Sequence, residues 1–203
     1  MITLAPLDRF DLSQLDPTPK RLKIGLGWKP DDQPQGLLGR IFAKDEPIDL
    51  DAACLLLDQT SNVMDMVWYK NLRTRDDSIR HLGDSLDGQD RGELDCENGL
   101  HDQESMIIEL DKIAKTVQTL LFCVCSHAVH DFRAIKQAHF RMMDERRGDE
   151  LARFNLAQHG KYTGIVLARL SRNADQGWSL QALGEPVEAN TPDQLIESAH
   201  QWV

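Results

Sequence analysis

Residues 83–104 constrain the fold most, because this stretch offers almost no side chain to a hydrophobic core. Arg91 is its only lysine or arginine, and four glycines interrupt it. Its eight carboxylates belong to Asp84, Asp87, Asp90, Glu93, Asp95, Glu97, Asp102 and Glu104. Like charges this close repel one another, so a folded protein leaves them in water or neutralises them with a cation. Two alternatives follow: a solvated acidic loop, and a calcium site of carboxylates on a glycine-punctuated loop.

The whole chain is acidic, with 203 residues and a formal net charge of −10. That length suits one domain, or at most two. The charge argues against nucleic acid and anionic membranes as partners, and it favours cations or basic protein surfaces. The N-terminus lacks the pattern of a signal peptide, and no apolar window approaches the ~20 residues of a membrane helix. We therefore expect a cytoplasmic protein without direct membrane insertion, whose four cysteines are free thiols.

Short β-type segments separated by turn residues dominate the chain. Residues 49–57 and 63–69 flank the turn residues 58–62 and so predict a hairpin. Asp111 is expected to cap a short helix that runs to about residue 116. Strands at such short intervals predict a mainly β protein, a two-sheet β-sandwich with a few short helices. The other predicted strands cover residues 21–28, 105–110, 118–126, 132–143, 150–156, 164–170 and 178–183.

The C-terminal segment has a different pattern. Thr191, Pro192 and Gln194 have the spacing of a helix N-cap with a capping box. Apolar residues then recur at helical spacing through Trp202, which predicts a short helix docked on a sheet. We therefore predict a sandwich domain over residues 1–185 and a packed helical extension over residues 186–203.

Several short motifs contain residue types that can form binding or catalytic sites. Gly25 and Gly27 lack the third glycine and the following helix of a dinucleotide loop, so they indicate a strand end relieved by glycine. Cys123 and Cys125 share one face of a strand, but without a second pair they do not form a zinc motif. His127 and His130 follow that strand and favour a metal-free histidine pair over a metal site. Nothing nominates a nucleophile with its base, so the sequence predicts no enzyme.

A calcium cage can nevertheless be assembled from separate segments. Residues 84–90 lack the ligand pattern of an EF-hand. Asp49 and Asp51 lie on one face at the start of a predicted strand, where carboxylates are unfavourable without a partner. Asn71, beyond the next strand, offers a neutral oxygen. The predicted cage combines these three with the ends of the acidic loop; the alternative is that they cap a strand and a turn.

The order of these segments resembles the TerD family of bacterial tellurium-resistance and stress-response proteins. The family pattern contains a Gly-Leu-Gly-Trp strand, an Asp-Leu-Asp-Ala strand, a Tyr-Asn-Asn-Leu turn and a Gly-Asp loop that ends in Asp-Asp-Glu. The matching segments here are residues 24–28, 49–57, 69–72, 81–88 and 102–104. Later strands agree at residues 132–141, 150–156 and 177–178.

The resemblance implies a sandwich that binds two Ca²⁺ ions on loops at one end and has no established catalytic activity. It also implies protein partners within a stress-response complex. Carried over position by position, the implied metal ligands are Asp49, Asp51, Asn71, the Gly83 carbonyl, Asp84, Asp102, Gln103 and Glu104. This cage defines the calcium-binding hypothesis; the alternative is a metal-independent scaffold whose acidic loop binds a basic partner. A metal-dependent hydrolase using the same carboxylates would also need a base, which the sequence does not nominate.

The chain departs from the family pattern inside the loop. Ser85, Asp87 and Gln103 replace an Asn, a Thr and a terminal acid, and about half a dozen extra residues lengthen the loop. Lys70 brings a positive charge where the family often has Asn. A cation beside the site weakens Ca²⁺ binding. These differences imply a divergent or accessory paralogue and leave open whether one ion or two bind.

Overall fold

The computed structural model describes residues 8–30, 48–83, 99, 101–127, 132–156 and 160–203. Eleven strands lie within these ranges. They are β1 (Arg9–Asp11), β2 (Arg21–Pro30), β3 (Leu50–Asp58), β4 (Val63–Val67), β5 (Ile79–His81), β6 (Glu104–Glu109), β7 (Val117–Ser126), β8 (Ile135–Asp144), β9 (Asp149–Asn155), β10 (Gly164–Arg172) and β11 (Trp178–Val187). Each predicted strand is present, but the first three residues of the one predicted over 132–143 form a 3-10 turn and β8 begins only at Ile135. The three-residue strands β1 and β5 are additional to the prediction.

The strands form two antiparallel sheets, which confirms the predicted mainly β sandwich. One sheet has six strands in the order β1-β11-β10-β7-β3-β4, and the other has five in the order β5-β6-β2-β8-β9. The predicted hairpin is β3 and β4, in which Cys54 pairs with Val67. Its turn is closed by Asp58, whose carboxylate accepts hydrogen bonds from the backbone of Thr60 and Asn62.

The main core lies between the two sheets. Along β2 the side chains of Leu22, Ile24, Leu26 and Trp28 enter this core, so the residues between them face outward. Phe122 of the six-stranded sheet packs on Phe140 of the five-stranded sheet, with ring centroids 5.9 Å apart. This alternation places Gly25 and Gly27 on the outer face of the five-stranded sheet.

The C-terminal segment packs on the outer face of the six-stranded sheet. Ala189, Leu195 and Ala199 contribute to a second apolar cluster with residues of β3, β7 and β10. The predicted C-terminal helix consists of two 3-10 turns, Pro192–Leu195 and Ala199–Trp202. The Thr191 side chain makes no capping hydrogen bond, and the Gln194 side chain instead accepts from the Asn190 amide.

The remaining short helices are also single 3-10 turns: Leu12–Gln14, Leu110–Lys112 and Phe132–Ala134. Asp111 was expected to cap a helix, but it lies inside its turn, and Glu109 at the cap position makes no side-chain hydrogen bond. No helix among the described residues has the length and apolar character that a membrane crossing requires.

Candidate functional site

The predicted ligand segments meet at one end of the sandwich. Strands β3 and β6 begin there, and β5 and β7 end there, because these neighbours run antiparallel. Asp49 and Asp51 therefore lie at the same end as Gly83 and the 102–104 segment. Asp84, together with residues 85–98, lies outside the described residues.

Asp49 and Asp51 stand at the start of β3, next to the end of β7. The Asp49 carbonyl accepts a hydrogen bond from the His127 amide at 3.1 Å. Asp51 pairs with Cys125 and is almost fully buried. Its Oδ2 lies 3.7 Å from Nδ1 of His127, and the same nitrogen lies 3.3 Å from the Tyr69 hydroxyl. A buried carboxylate therefore faces the half-exposed imidazole of His127.

Glu104 points from the start of β6 toward the other sheet. Its Oε2 accepts a hydrogen bond from the Ala52 amide at 2.8 Å, so it connects β6 to β3. The same oxygen lies 3.4 Å from Nε2 of His81, and both side chains are fully buried. Nδ1 of His81 lies 3.3 Å from the Gly83 amide nitrogen, so the acidic segment begins beside this pair.

Gln103 fixes the start of β6 against β2. Its Oε1 accepts from the Trp28 amide at 2.7 Å, and its Nε2 donates to the Trp28 carbonyl at 2.9 Å. The Trp28 indole in turn donates to the Ile48 carbonyl, next to β3. Both ends of the Gln103 amide are therefore used by the backbone of β2.

Asp102 lies in a charged network on the outer face of the five-stranded sheet. Arg141 donates to both carboxylate oxygens, at 2.9 and 2.8 Å. His139 lies 3.0 Å away through Nε2, and Nζ of Lys23 lies at 3.9 Å. Burial raises the pKa of Asp102, but the hydrogen bonds from His139 and Arg141 outweigh it and hold the pKa below its ordinary value.

Gly25 makes this network possible. Gly25 pairs with Arg141, and a Cβ on it would overlap the Asp102 carboxylate. A Cβ on Gly27 would likewise overlap the His101 carbonyl and the His139 ring. The two glycines lie within β2, which continues to Pro30, so the predicted strand end is wrong. Their presence still has a physical cause, since only glycine lets the carboxylate approach the sheet this closely.

Asn71 and Lys70 lie beyond β4. The Asn71 amide donates to the Met66 carbonyl at 2.6 Å and lies 3.3 Å from Oδ1 of Asp65, so this end of the side chain folds back on β4. The ammonium of Lys70 lies 4.7 Å from the Trp68 ring centroid and 5.2 Å from that of Tyr69. Lys70 is thus held over aromatic rings at this end of the molecule.

Within the described part of the chain, no three His, Cys, Asp or Glu side chains already form a group that could hold a metal ion. The structure adds three residues that sequence reasoning did not nominate at this end: His81, His139 and Arg141. Arg141 and His139 occur at alternate positions in β8, in line with Gly25 and Gly27 of β2. The sequence signal for this network is the pair of alternating glycines, Gly25 and Gly27, which lie opposite Arg141 and His139.

Comparison with known proteins agrees with this architecture. The family model described as "TerD domain" matches residues 1–197. The chain is 33% identical to tellurium resistance protein TerZ of Serratia marcescens, covering 96% of this chain and 95% of that protein. It is 28% identical to stress response protein SCP2 of Bacillus subtilis (strain 168), covering 96% and 97% respectively.

A solved structure shares the fold. The crystal structure of a homologue of telluride resistance protein (TerD) from Streptomyces coelicolor A3(2) superposes with a TM-score of 0.68. It is 19% identical in sequence and covers 89% of this chain and 98% of its own. With the family model matching from residue 1 to residue 197, the chain belongs to the TerD family of tellurium-resistance and stress-response proteins.

Proposed function

We propose that this protein is a cytoplasmic, non-catalytic interaction module of a stress response, and that Ca²⁺ orders the acidic end of its sandwich. The observation that carries the proposal is the convergence of the 49–51, 81–83 and 102–104 segments at one end. Carboxylates and a backbone carbonyl are the oxygen donors that Ca²⁺ takes in proteins. Asp84 enters the proposal by family resemblance alone.

The donor chemistry favours some of the nominated residues over others. Asp49, Asp51, Glu104 and the Gly83 carbonyl would supply oxygen atoms near the start of the acidic segment. Buried carboxylates such as Asp51 and Glu104 are costly to desolvate, and a bound cation offsets that cost.

Asp102 and Gln103 would position the site and not supply oxygen atoms to the ion. The Arg141 guanidinium already engages both Asp102 oxygens, and both ends of the Gln103 amide bind Trp28. We infer that they fix the start of β6 and thereby aim Glu104. Asn71, whose amide nitrogen is turned toward Met66, can still offer its oxygen to an ion.

Ca²⁺ would act on this end by joining segments that otherwise repel. An ion that binds the folded form alone stabilises it by a few kcal/mol at ~100-fold excess over its Kd. An ordered acidic end would then present a negative surface, and with a net charge of −10 the favoured partner is a protein with a basic patch.

The test is calorimetric titration of Ca²⁺ into chelator-stripped protein, with thermal melts alongside. We expect saturable binding and a higher Tm, with a stoichiometry of one or two ions. The double variant Asp49→Asn with Asp84→Asn should lose the heat and the Tm shift. Asp175→Asn, which removes one exposed carboxylate from the β10–β11 turn at the opposite end of the sheet, should keep both.

Two results would contradict the calcium hypothesis. One is no heat and no Tm shift up to millimolar Ca²⁺; the other is unchanged affinity in the double variant. The metal-independent scaffold predicts instead that binding of a basic partner ignores chelators and weakens as salt increases.

A further inference from the structure

A cavity of about 430 Å³ lies between the edges of the two sheets. β1 is the edge strand of the six-stranded sheet and β9 that of the five-stranded sheet, and both line the cavity. The β8–β9 turn and the segment after β1 complete its wall. The cavity lies at the end of the sandwich away from the acidic segment, because its lining residue Asp144 pairs with Leu22, whereas Glu104 pairs with Leu26. Its volume is within the range of small-molecule sites, ~300–1,000 Å³.

Much of the cavity wall is apolar, through Phe10, Leu15, Pro17, Pro19 and Leu151. Leu151 belongs to the main core, and Phe10 and Leu15 pack against that core while remaining partly exposed. These three side chains therefore offer apolar surface that packing already holds in place. An apolar group that enters the cavity gains free energy by leaving water for contact with them.

Asp144 brings a buried carboxylate to this cavity. Its partner on β2, Leu22, enters the main core, and directly paired residues of antiparallel strands point to the same side of a sheet. The Asp144 side chain therefore points toward the space between the sheets, and the residue is only 4% exposed. Its Oδ1 accepts a hydrogen bond from the Arg146 amide at 3.0 Å, but within the described part of the chain nothing donates to Oδ2 or forms an ion pair with the carboxylate. A carboxylate buried in this way is stabilised by a cation that enters the cavity.

The other charged residues of the cavity wall are already paired. Nε of Arg147 lies 2.7 Å from Oδ2 of Asp149, so the charge of this guanidinium is matched within the wall. Nε of Arg153 donates to Oε1 of Glu150 at 2.7 Å, on the outer face of the sheet. Asp144 is therefore the lining carboxylate that remains for a cationic ligand.

We propose that this cavity binds a small organic ammonium ion, with the charged group on Asp144 and the apolar body against Phe10 and Leu151. An ammonium group carries N–H donors that can bond to the Oδ2 atom that no described residue uses. A hard metal ion suits the cavity less, because Ca²⁺ takes roughly six to eight oxygen ligands. The site shares no residue with the calcium proposal and lies at the other end of the sandwich, so each proposal can fail without the other.

The test compares three ring compounds of nearly equal size: benzylammonium, benzyl alcohol and benzoate. Binding is followed by shifts of the Gly148 and Leu151 amide signals in proton–nitrogen correlation NMR spectra of the full-length protein. We expect benzylammonium to bind with a Kd of about 1 mM, which is typical of a ligand of this size. Benzyl alcohol should bind at least about tenfold more weakly and benzoate should not bind, because neither can neutralise Asp144. This comparison uses the unmodified protein, so it does not depend on the folding of a variant.

A pair of variants locates the charge that matters. Asp144→Asn removes the charge but keeps an oxygen that can accept from the Arg146 amide, and it should weaken benzylammonium binding by about tenfold or more. The matched control is Asp16→Asn, which removes an exposed carboxylate from the segment next to the cavity and should change the Kd by less than about twofold. Because the protein has a net charge of −10, this pair separates a built site from general attraction of an amine to the surface.

Two further titrations identify the source of the ammonium group and the end of the molecule that binds it. Saturating Ca²⁺ should not displace benzylammonium, because the acidic segment is at the other end of the sandwich. The blocked lysine Nα-acetyl-lysine methylamide should bind more weakly, because its flexible chain offers less apolar surface to the cavity wall. Equal binding of that compound would assign the cavity to a lysine side chain of a partner and overturn the proposal of a free amine. The proposal is also wrong if benzylammonium causes no shift up to tens of millimolar, if benzyl alcohol binds as tightly, if Asp144→Asn keeps the affinity, or if Ca²⁺ displaces the amine.

Discussion

The outer face of the five-stranded sheet carries buried charged side chains, whereas the outer face of the six-stranded sheet is apolar and covered by the C-terminal segment. On the first face Asp102 binds Arg141 and His139, and Arg141 lies 3.9 Å from Glu150, which itself binds Arg153. On the second face Leu195 and Ala199 pack against residues of β3 and β7. Both faces are protected from water, but by different interactions.

The difference has an energetic consequence. An apolar cover gains free energy roughly in proportion to the area it buries, and truncation of one side chain is felt locally. Burying a network of charges costs desolvation free energy, which the attraction between the charges offsets only while every partner is present. Loss of one partner therefore leaves an uncompensated buried charge. We therefore expect the charged face to be the more sensitive to single substitutions.

Arg141→Met should have the largest effect. The variant removes the guanidinium that holds both Asp102 oxygens and leaves a buried carboxylate with weaker compensation. We expect a loss of about 3–5 kcal/mol in the free energy of unfolding, measured by urea denaturation. Arg146→Met, which removes an exposed guanidinium nearby, should change it by less than about 0.5 kcal/mol. Equal effects at the two positions would mean that the buried ion network is no more sensitive to the loss of a charge than the exposed surface is.

Leu195→Ala tests the apolar face. Leu195 is buried in the outer cluster, so its truncation should cost about 2–3 kcal/mol, at the lower end for leucine because the short 3-10 turn that carries it can settle into part of the space left. The adjacent Ile196 is 40% exposed, and Ile196→Ala should have little effect in the same urea titration. A negligible cost at Leu195 would mean that the C-terminal segment does not stabilise the sheet.

Gly25→Ala and Gly164→Ala each add one methyl group to an outer face, Gly25→Ala to the charged face and Gly164→Ala to the apolar face. The losses in the free energy of unfolding can then be compared. At Gly25 the new Cβ overlaps a carboxylate pinned by Arg141, so we expect a loss of about 1–3 kcal/mol. At Gly164 the Cβ would lie 3.0 Å from the Ala189 carbonyl oxygen and from Cγ2 of Val187, which is a tight contact but not an overlap. The loss there should be smaller, and the reverse order would show that the ion network is the more yielding of the two.

Much of this architecture can be predicted from local sequence patterns, but the residues with which the buried charged side chains pair cannot. The alternation of residues 21–28 and the turn at residues 58–62 predict β2 and the β3–β4 hairpin because each pattern is contained in one short segment. Strands β1 and β5 have three residues each, too few to show a period. The contact of Asp102 with Arg141 joins residues 39 apart in sequence, and only the register of β2 with β6 and β8 brings them together. The position of Asp84 stays a prediction.

Acidification should have a smaller effect on the free energy of unfolding, and the effect should develop gradually over the acid pH range as Asp102 loses its charge. Because the folded state lowers the pKa of Asp102, its contribution to stability is present above the ordinary carboxyl pKa and is lost as the pH falls through the lowered value. The difference in unfolding free energy between the parent protein and Asp102→Asn should therefore shrink below about pH 4. Urea titrations at several pH values measure it, and a difference that grows in acid would contradict the assigned direction.

Thr191→Ala should have the smallest effect, although the sequence pattern marks Thr191 as a helix cap. An N-cap threonine normally contributes about 1 kcal/mol through its side-chain hydrogen bond. Here that bond is absent, and Gln194 bonds to the Asn190 amide instead. We expect a change below about 0.5 kcal/mol in the urea titration. A loss near 1 kcal/mol would mean that the segment forms a capped helix in solution, and the apolar cover would then owe part of its stability to a helix terminus rather than to burial alone.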